Sequence, residues 1–149
     1  MAAMANGILP AQRNFGGFWR RVAAFAIDFV LLNAIWYCFD TAFVFVAPNV
    51  GQFATKLTSW ILYSLTSWIY SANMESGPHQ ATWGKRAMGL RVCDLSGNRI
   101  SFGRASGRFF SSIFCLLSLG VGYVMVAFTK QKQGLHDKMA DTLVLRIGE

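Results

Sequence analysis

Residues Val22 to Ala47 form a run of 26 positions interrupted only by Asp28, Asn33, Asp40 and Thr41. As a helix this run reaches about 39 Å, more than the roughly 30 Å of hydrocarbon in a bilayer, so it spans with room for tilt. Arg13, Arg20 and Arg21 precede it and give the look of a signal peptide. A signal core is only about 7 to 15 residues, and bulky Phe45 and Val46 make a poor cleavage site, so the segment is read as retained. The composition agrees with a membrane solvent. Of the 149 residues 54% are hydrophobic and 14% charged, against about 25% charged in soluble domains. Thirteen Phe and five Trp exclude disorder, three scattered cysteines exclude a disulfide scaffold, and the length suits one domain.

Two further apolar segments follow. Leu57 to Met74 is 18 residues without a charge, six of them Ser or Thr. Ser64, Ser67 and Ser71 share one helical face, which is expected to pack inward, because small hydroxyl residues permit close approach and hydrogen bonding between helices. Phe109 to Phe128 contains Ser118, Gly120 and Gly122; it either spans once or breaks there and returns to the same side. Lys and Arg number three before the first segment, one near the first loop, six from Glu75 to Arg108 and four after Phe128. Three simple crossings would divide them 9 against 5, whereas a re-entrant third segment divides them 13 against 1. The positive-inside rule therefore favours the re-entrant form, with both termini and the long loop cytoplasmic. Half-helices of about ten residues reach only about 15 Å, so such a hairpin needs shielding by protein.

In the polar parts, Gly89 to Ser101 reads as a β-hairpin turning at Ser96-Gly97-Asn98, with Leu90 and Val92 on one side and Arg91 and Cys93 on the other. Thr142 to Ile147 is a third strand-like run. A lone hairpin is marginal in water, so a three-stranded miniature sheet is expected, which needs the loop and the C-terminus on one side. Gly103 to Arg108 starts the third helix, with Arg104 and Arg108 one turn apart on one face. Met1 to Asn14 reads as a loose tail. The expected fold is thus an all-α membrane bundle of about three apolar segments, two spanning and the third spanning or re-entrant, with a small cytoplasmic sheet.

The chemistry rests on a few charges. Asp28 lies about 9 Å into the first helix, where an ionised carboxylate needs a partner, a proton or water. Arg21 is two turns earlier on nearly the same face, about 10.5 Å along the axis, and Arg20, Arg104 and Arg108 are rival partners. Asp28 either fixes helix register through an arginine or is itself a proton or cation site. Asp40 and Asn33 mark another face, with Asp40 expected near the headgroups. His136-Asp137 beside Lys138 is the one His-acid pair in a charged stretch; it either relays protons or packs the helix end while Asp137 holds an arginine of the long loop. His79, His136 and the three cysteines lack metal-site spacing, and no phosphate loop or nucleophile elbow occurs, so neither metal, cofactor nor enzymatic activity is expected. The net charge of +7 lies beside the apolar segments and suits anionic lipid headgroups better than nucleic acid.

Phe15-Gly16-Gly17-Phe18-Trp19-Arg20-Arg21 running to Asp28, Thr82-Trp83-Gly84-Lys85 leading to Gly89-Leu90-Arg91-Val92, and Leu135-His136-Asp137-Lys138 together resemble the RDD family of small integral membrane proteins, named for one arginine and two aspartates. The resemblance covers residues 15 to 147 as one domain and implies Arg21, Asp28 and Asp137 as the named positions. It departs at Asp141, where the family pattern expects Gly. It implies a multi-pass protein of the cell membrane, the bacterial inner membrane being the expected site, with a role in transport such as monovalent cation/proton exchange at Asp28. The alternative is a non-transporting scaffold or assembly factor. Three segments enclose little alone, so a homo-oligomer or a membrane partner subunit is expected, and the charge network is assigned to Arg21, Asp28, Arg108, His136 and Asp137.

Overall fold

A computed structural model describes residues 14–46, 51–117 and 121–147. The elements are α1 (Phe18–Val46), α2 (Gln52–Ser76), α3 (Trp83–Ala87), β1 (Leu90–Asp94), α4 (Phe102–Leu117), α5 (Val121–Phe128), α6 (Leu135–Met139) and β2 (Thr142–Arg146).

At 29 residues, α1 extends about 44 Å, and it is the one helix among the described residues both long and apolar enough to cross a membrane. Ala24 is its sole buried residue, while Phe25, Phe29, Val30 and Ile35 stand exposed. Along its distal half α1 faces α2 through polar contacts: Asn33 Nδ2 donates to the Tyr63 hydroxyl at 3.2 Å and Ser59 to Asp40 at 2.6 Å. Asn33 and Asp40 do mark one face, and that face meets α2.

The serine stripe of α2 packs inward only in part, with Ser67 and Ser71 half-buried and Glu75 buried one turn after Ser71. Ser64 is exposed and bonds back to the Trp60 carbonyl at 2.9 Å, whereas Ala72 and Glu75 are buried and Trp68 donates to Ser106 of α4 at 3.0 Å. The third helix begins where Gly103 to Arg108 is expected to start it: Ser101 receives the Arg104 N–H at 3.3 Å and opens α4 at Phe102. The described chain resumes as α5 at Val121; residues 118–120 lie outside the described set, and with them part of the expected break at Ser118 to Gly122.

The hairpin expected over Gly89 to Ser101 does not form. Asp94 Oδ1 accepts the N–H groups of Ser96 at 2.9 Å and Asn98 at 2.8 Å, closing a local turn that ends β1. β1 instead pairs antiparallel with β2 in a two-stranded sheet, Val92 opposite Val144. The place of a third strand is taken by the N-terminal approach: Phe15 bridges Leu145, Gly16 N–H meets Val144 O at 2.8 Å, and Asn14 O accepts Arg146 N–H at 2.7 Å. Asn14 is therefore tied down, while the rest of the expected tail, 1–13, lies outside the described residues. On the opposite edge, Gln80 bonds Val92 through both its backbone carbonyl (2.7 Å) and its side-chain amide (3.1 Å), so neither edge is left open.

The sheet's two faces bury different clusters. Leu90, Val92 and Val144 pack with Ala24, Ala72, Ile100 and Ala105, and Cys93, Leu143 and Leu145 pack with Phe15. Because β2 follows α5 and β1 precedes α4, the α4–α5 segment leaves this sheet and comes back to it.

Candidate functional site

Two polar constellations adjoin at α3. The first is built on Asp28. Its Oδ1 accepts the Tyr70 hydroxyl and the Gly84 N–H, each at 2.8 Å, and its Oδ2 accepts the Thr82 hydroxyl at 2.6 Å. Thr82 is the N-cap of α3, and its oxygen also receives the Lys85 N–H at 3.4 Å. One hydroxyl thus caps the helix as acceptor and serves the aspartate as donor. Gly84 is required by the closeness of α3 to α1. A Cβ there would lie 2.0 Å from the Ala24 carbonyl oxygen and 2.9 Å from Asp28 Cγ, inside contact distance. Of the two roles expected for Asp28, the arginine pair does not form: no cation pairs with Asp28 among the described residues.

The second constellation is ionic and interior. Arg108, on α4, forks onto Glu75 at 3.0 and 3.1 Å and reaches Asp137 Oδ1 with Nη1 at 2.7 Å. Arg21 donates to Asp137 Oδ2 with Nη1, to the Gly16 carbonyl with Nε at 3.0 Å and to the Lys132 carbonyl with Nη2. Lys85 pairs with Glu75 Oε1. Asp137 occupies the third position of α6 and also receives the Gly134 N–H at 3.1 Å, so it caps its own helix while holding two arginines. Asp137 has no exposed surface, and Glu75 and Arg108 are buried. Every charged group here therefore has partners, the condition for ions in a low-dielectric interior.

Protonation follows the surroundings. Burial alone would raise the Asp137 pKa, but the Arg108 and Arg21 guanidiniums outweigh it and hold the carboxyl well below the usual carboxylate range. Burial lowers His136 to about 4, with Arg108, Arg21 and Lys85 pushing the same way against Asp137. The neutral ring lies 3.3 Å from Asp137 Oδ1 through Nε2 and 3.7 Å from the Cys115 thiol through Nδ1. The carboxylate side favours the protonated nitrogen, leaving Nδ1 to accept from sulfur. Burial and neighbouring Arg108 lower the Lys85 pKa, opposed by Glu75.

The structure brings Arg21, Arg108, His136 and Asp137 into one cluster and places Asp28 in the adjoining one. Arg104, expected beside Arg108, is exposed on α4. The two constellations join through Thr82-Trp83-Gly84-Lys85: its hydroxyl and Gly84 amide serve Asp28, and its lysine serves Glu75. Sequence reasoning missed Glu75 and Tyr70. Glu75 carried one signal, being an isolated acid directly after a charge-free apolar run. Among the described residues no group of three or more His, Cys, Asp or Glu could hold a metal ion.

Comparisons with known proteins place the chain among its relatives. The model of the RDD family matches residues 15–141. The chain is 28% identical over 145 residues to the uncharacterized protein YxaI of Bacillus subtilis, covering 87% of this chain and 95% of that one. It is 32% identical over 141 residues to the uncharacterized membrane protein YteJ of the same organism, covering 88% and 80%. No solved structure matches it. The family model spans Arg21, Asp28 and Asp137 together, and the chain belongs to the RDD family.

Proposed function

We propose that the protein is a multi-pass protein of the cell membrane that takes part in transport, with Asp28 as the group that exchanges a proton or a monovalent cation. The observation that carries this reading is the surroundings of Asp28: a carboxylate on the long apolar helix, held by two hydroxyls and one amide, with no cation paired to it among the described residues. Arg21, the neighbouring cation two turns away, is committed to Asp137 instead. An ion entering between Asp28, Tyr70 and Thr82 would meet one carboxylate and two hydroxyl oxygens whose protons can rotate away. Hard monovalent cations and protons suit such oxygen ligands.

In this reading α1 and α2 cross the membrane and the α4–α5 segment is re-entrant. The β1–β2 pairing supports it, since the chain returns to its starting sheet. The ionic cluster then acts as a rigid lock that sets α1, α2, α4 and α6 around Asp28. The test is ion-driven proton movement in proteoliposomes. Asp28→Asn at normal folded yield is expected to abolish flux, and unchanged flux would defeat the role. Cysteine labelling of residues after Thr129 tests the topology, with accessibility from the cytoplasmic side expected.

A second reading, a non-transporting membrane scaffold or assembly factor, is favoured by the exposed face of α1, where Ala26, Ile27, Val30 and Ala34 form a shallow apolar groove. It expects no flux from the wild-type chain and a homo-oligomer or partner subunit covering that face.

A further inference from the structure

Hydrogen bonds at three levels tie α1 to α2. Tyr70 donates to Asp28 at 2.8 Å, Asn33 donates to the Tyr63 hydroxyl at 3.2 Å, and Ser59 donates to Asp40 at 2.6 Å. At about 100° per residue Tyr70, Tyr63 and Ser59 lie within about 40° of one another on α2, while Asn33 and Asp40 lie within about 20° on α1. One polar seam therefore leads from Asp28 toward the far end of the helix pair. Asp28 and Asp40 stand about 18 Å apart along the axis of α1, with Asn33 between them.

The seam is short of partners. Asn33 commits its side-chain N–H groups to the Phe29 carbonyl at 2.8 Å and to Tyr63, and its side-chain carbonyl accepts nothing among the described residues. Asp40 accepts from Ser59 alone among them, and no cation pairs with it. Lys56, the one Lys or Arg between Arg21 and Lys85, makes no ion pair among the described residues. Thr41, by contrast, satisfies its hydroxyl on the Tyr37 carbonyl of its own helix at 2.8 Å.

Polar groups on a spanning helix face a polar partner or water, because hydrocarbon offers neither donor nor acceptor. Association of two helices is served by hydroxyls and amides alone. A carboxylate adds a desolvation cost that holding α1 to α2 does not require, so Asp40 calls for a role of its own. We infer that Asp40 with Ser59 is a second binding position for the exchanged ion, at the end of the seam away from the chain termini, and that Asn33 and Tyr63 form the station between it and Asp28. This rests on the reading of Asp28 as the exchanging group. Trp36 holds Tyr63 in place, its ring 5.8 Å away and edge-on. The axial steps are about 7.5 Å and about 10.5 Å, beyond hydrogen-bond reach, so water bridges the stations.

The experiment follows sodium-driven proton movement in proteoliposomes of the full chain. Asp40→Asn keeps an oxygen for the Ser59 hydroxyl and removes the charge; at normal folded yield it is expected to cut flux at least about ten-fold, the loss of one charge-assisted contact. Ser59→Ala breaks the hydrogen bond and keeps the carboxylate, and its flux should stay near wild type. Unchanged flux in Asp40→Asn overturns the inference, as does an equal loss in Ser59→Ala, which would assign the pair to helix packing. If Asp40→Asn is not recovered folded, Tyr63→Phe decides: it keeps the ring beside Trp36 and removes the hydroxyl, and unchanged flux again overturns the inference. Asp28→Asn in the same assay separates the two readings. Loss at Asp28 without loss at Asp40 sinks the second position alone, whereas no loss at either sinks both.

Discussion

Arg21 at the start of α1 and Asp137 in α6, 116 positions apart in the chain, form a direct ion pair. Asp137 holds Arg108 with its other oxygen, so one carboxylate fastens the first and fourth helices to the C-terminal segment. Arg21 and Asp137 thus serve each other, while Asp28 is served by Thr82, Tyr70 and Gly84.

Removing Asp137 leaves two arginines without their acceptor and α6 without its cap. Asp137→Ala is expected to lower stability by about 3 to 5 kcal/mol, the cost of an orphaned buried charge. A thermal-unfolding cycle with Arg21→Gln and Asp137→Asn should show a coupling of at least about 1 kcal/mol. Additive effects would mean that the pair contributes nothing beyond its members.

Gly84 admits no side chain, because its Cβ would fall 2.0 Å from the Ala24 carbonyl. Gly84→Ala must push α3 from α1, costing about 1 to 3 kcal/mol or more. The displacement also withdraws the amide from Asp28. Unfolding in detergent reads the first effect, and proteoliposome flux in the folded fraction reads the second.

His136 makes stability depend on pH. It is lowered from 6.5 to about 4 in the folded chain, so between these values the unfolded state binds more protons than the folded one. The stabilisation is complete above pH 6.5 and is lost as pH falls toward 4, amounting to roughly 3 kcal/mol at most. In His136→Gln the slope of unfolding free energy over that window should flatten. A slope identical to wild type would show that another group carries it.

Asp141 sits at φ of 50°, the left-handed region open to Gly and tolerated by Asp. An Asp at this position keeps the turn that a Gly would also allow. Asp141→Val should cost about 1 to 2 kcal/mol, whereas Asp141→Gly should remain within about 0.5 kcal/mol, because strain relief offsets added chain entropy. Equal melting temperatures for the two variants would contradict the backbone argument.

Local properties of the chain were enough to reveal the apolar helices, the strand character of Leu90–Asp94 and Thr142–Arg146, and the dependence of charged groups near the membrane on partners. Hydrophobic runs, β-branched runs and isolated charges are each readable within a few residues. Which charges pair was not readable. Asp28 had several arginines within plausible reach, and only the approach of α3, permitted by the missing side chain at Gly84, filled its oxygens with hydroxyls and an amide. Glu75 became an ionic centre only because α4 and α3 deliver Arg108 and Lys85 to it. The sheet was likewise decided at long range: Asp94 closed a local turn and ended β1, so β1's partner came from the far end of the chain and the neighbouring edge was taken by Phe15. Ion pairing and strand pairing depend on distances between segments remote in sequence, and those distances exist only after packing.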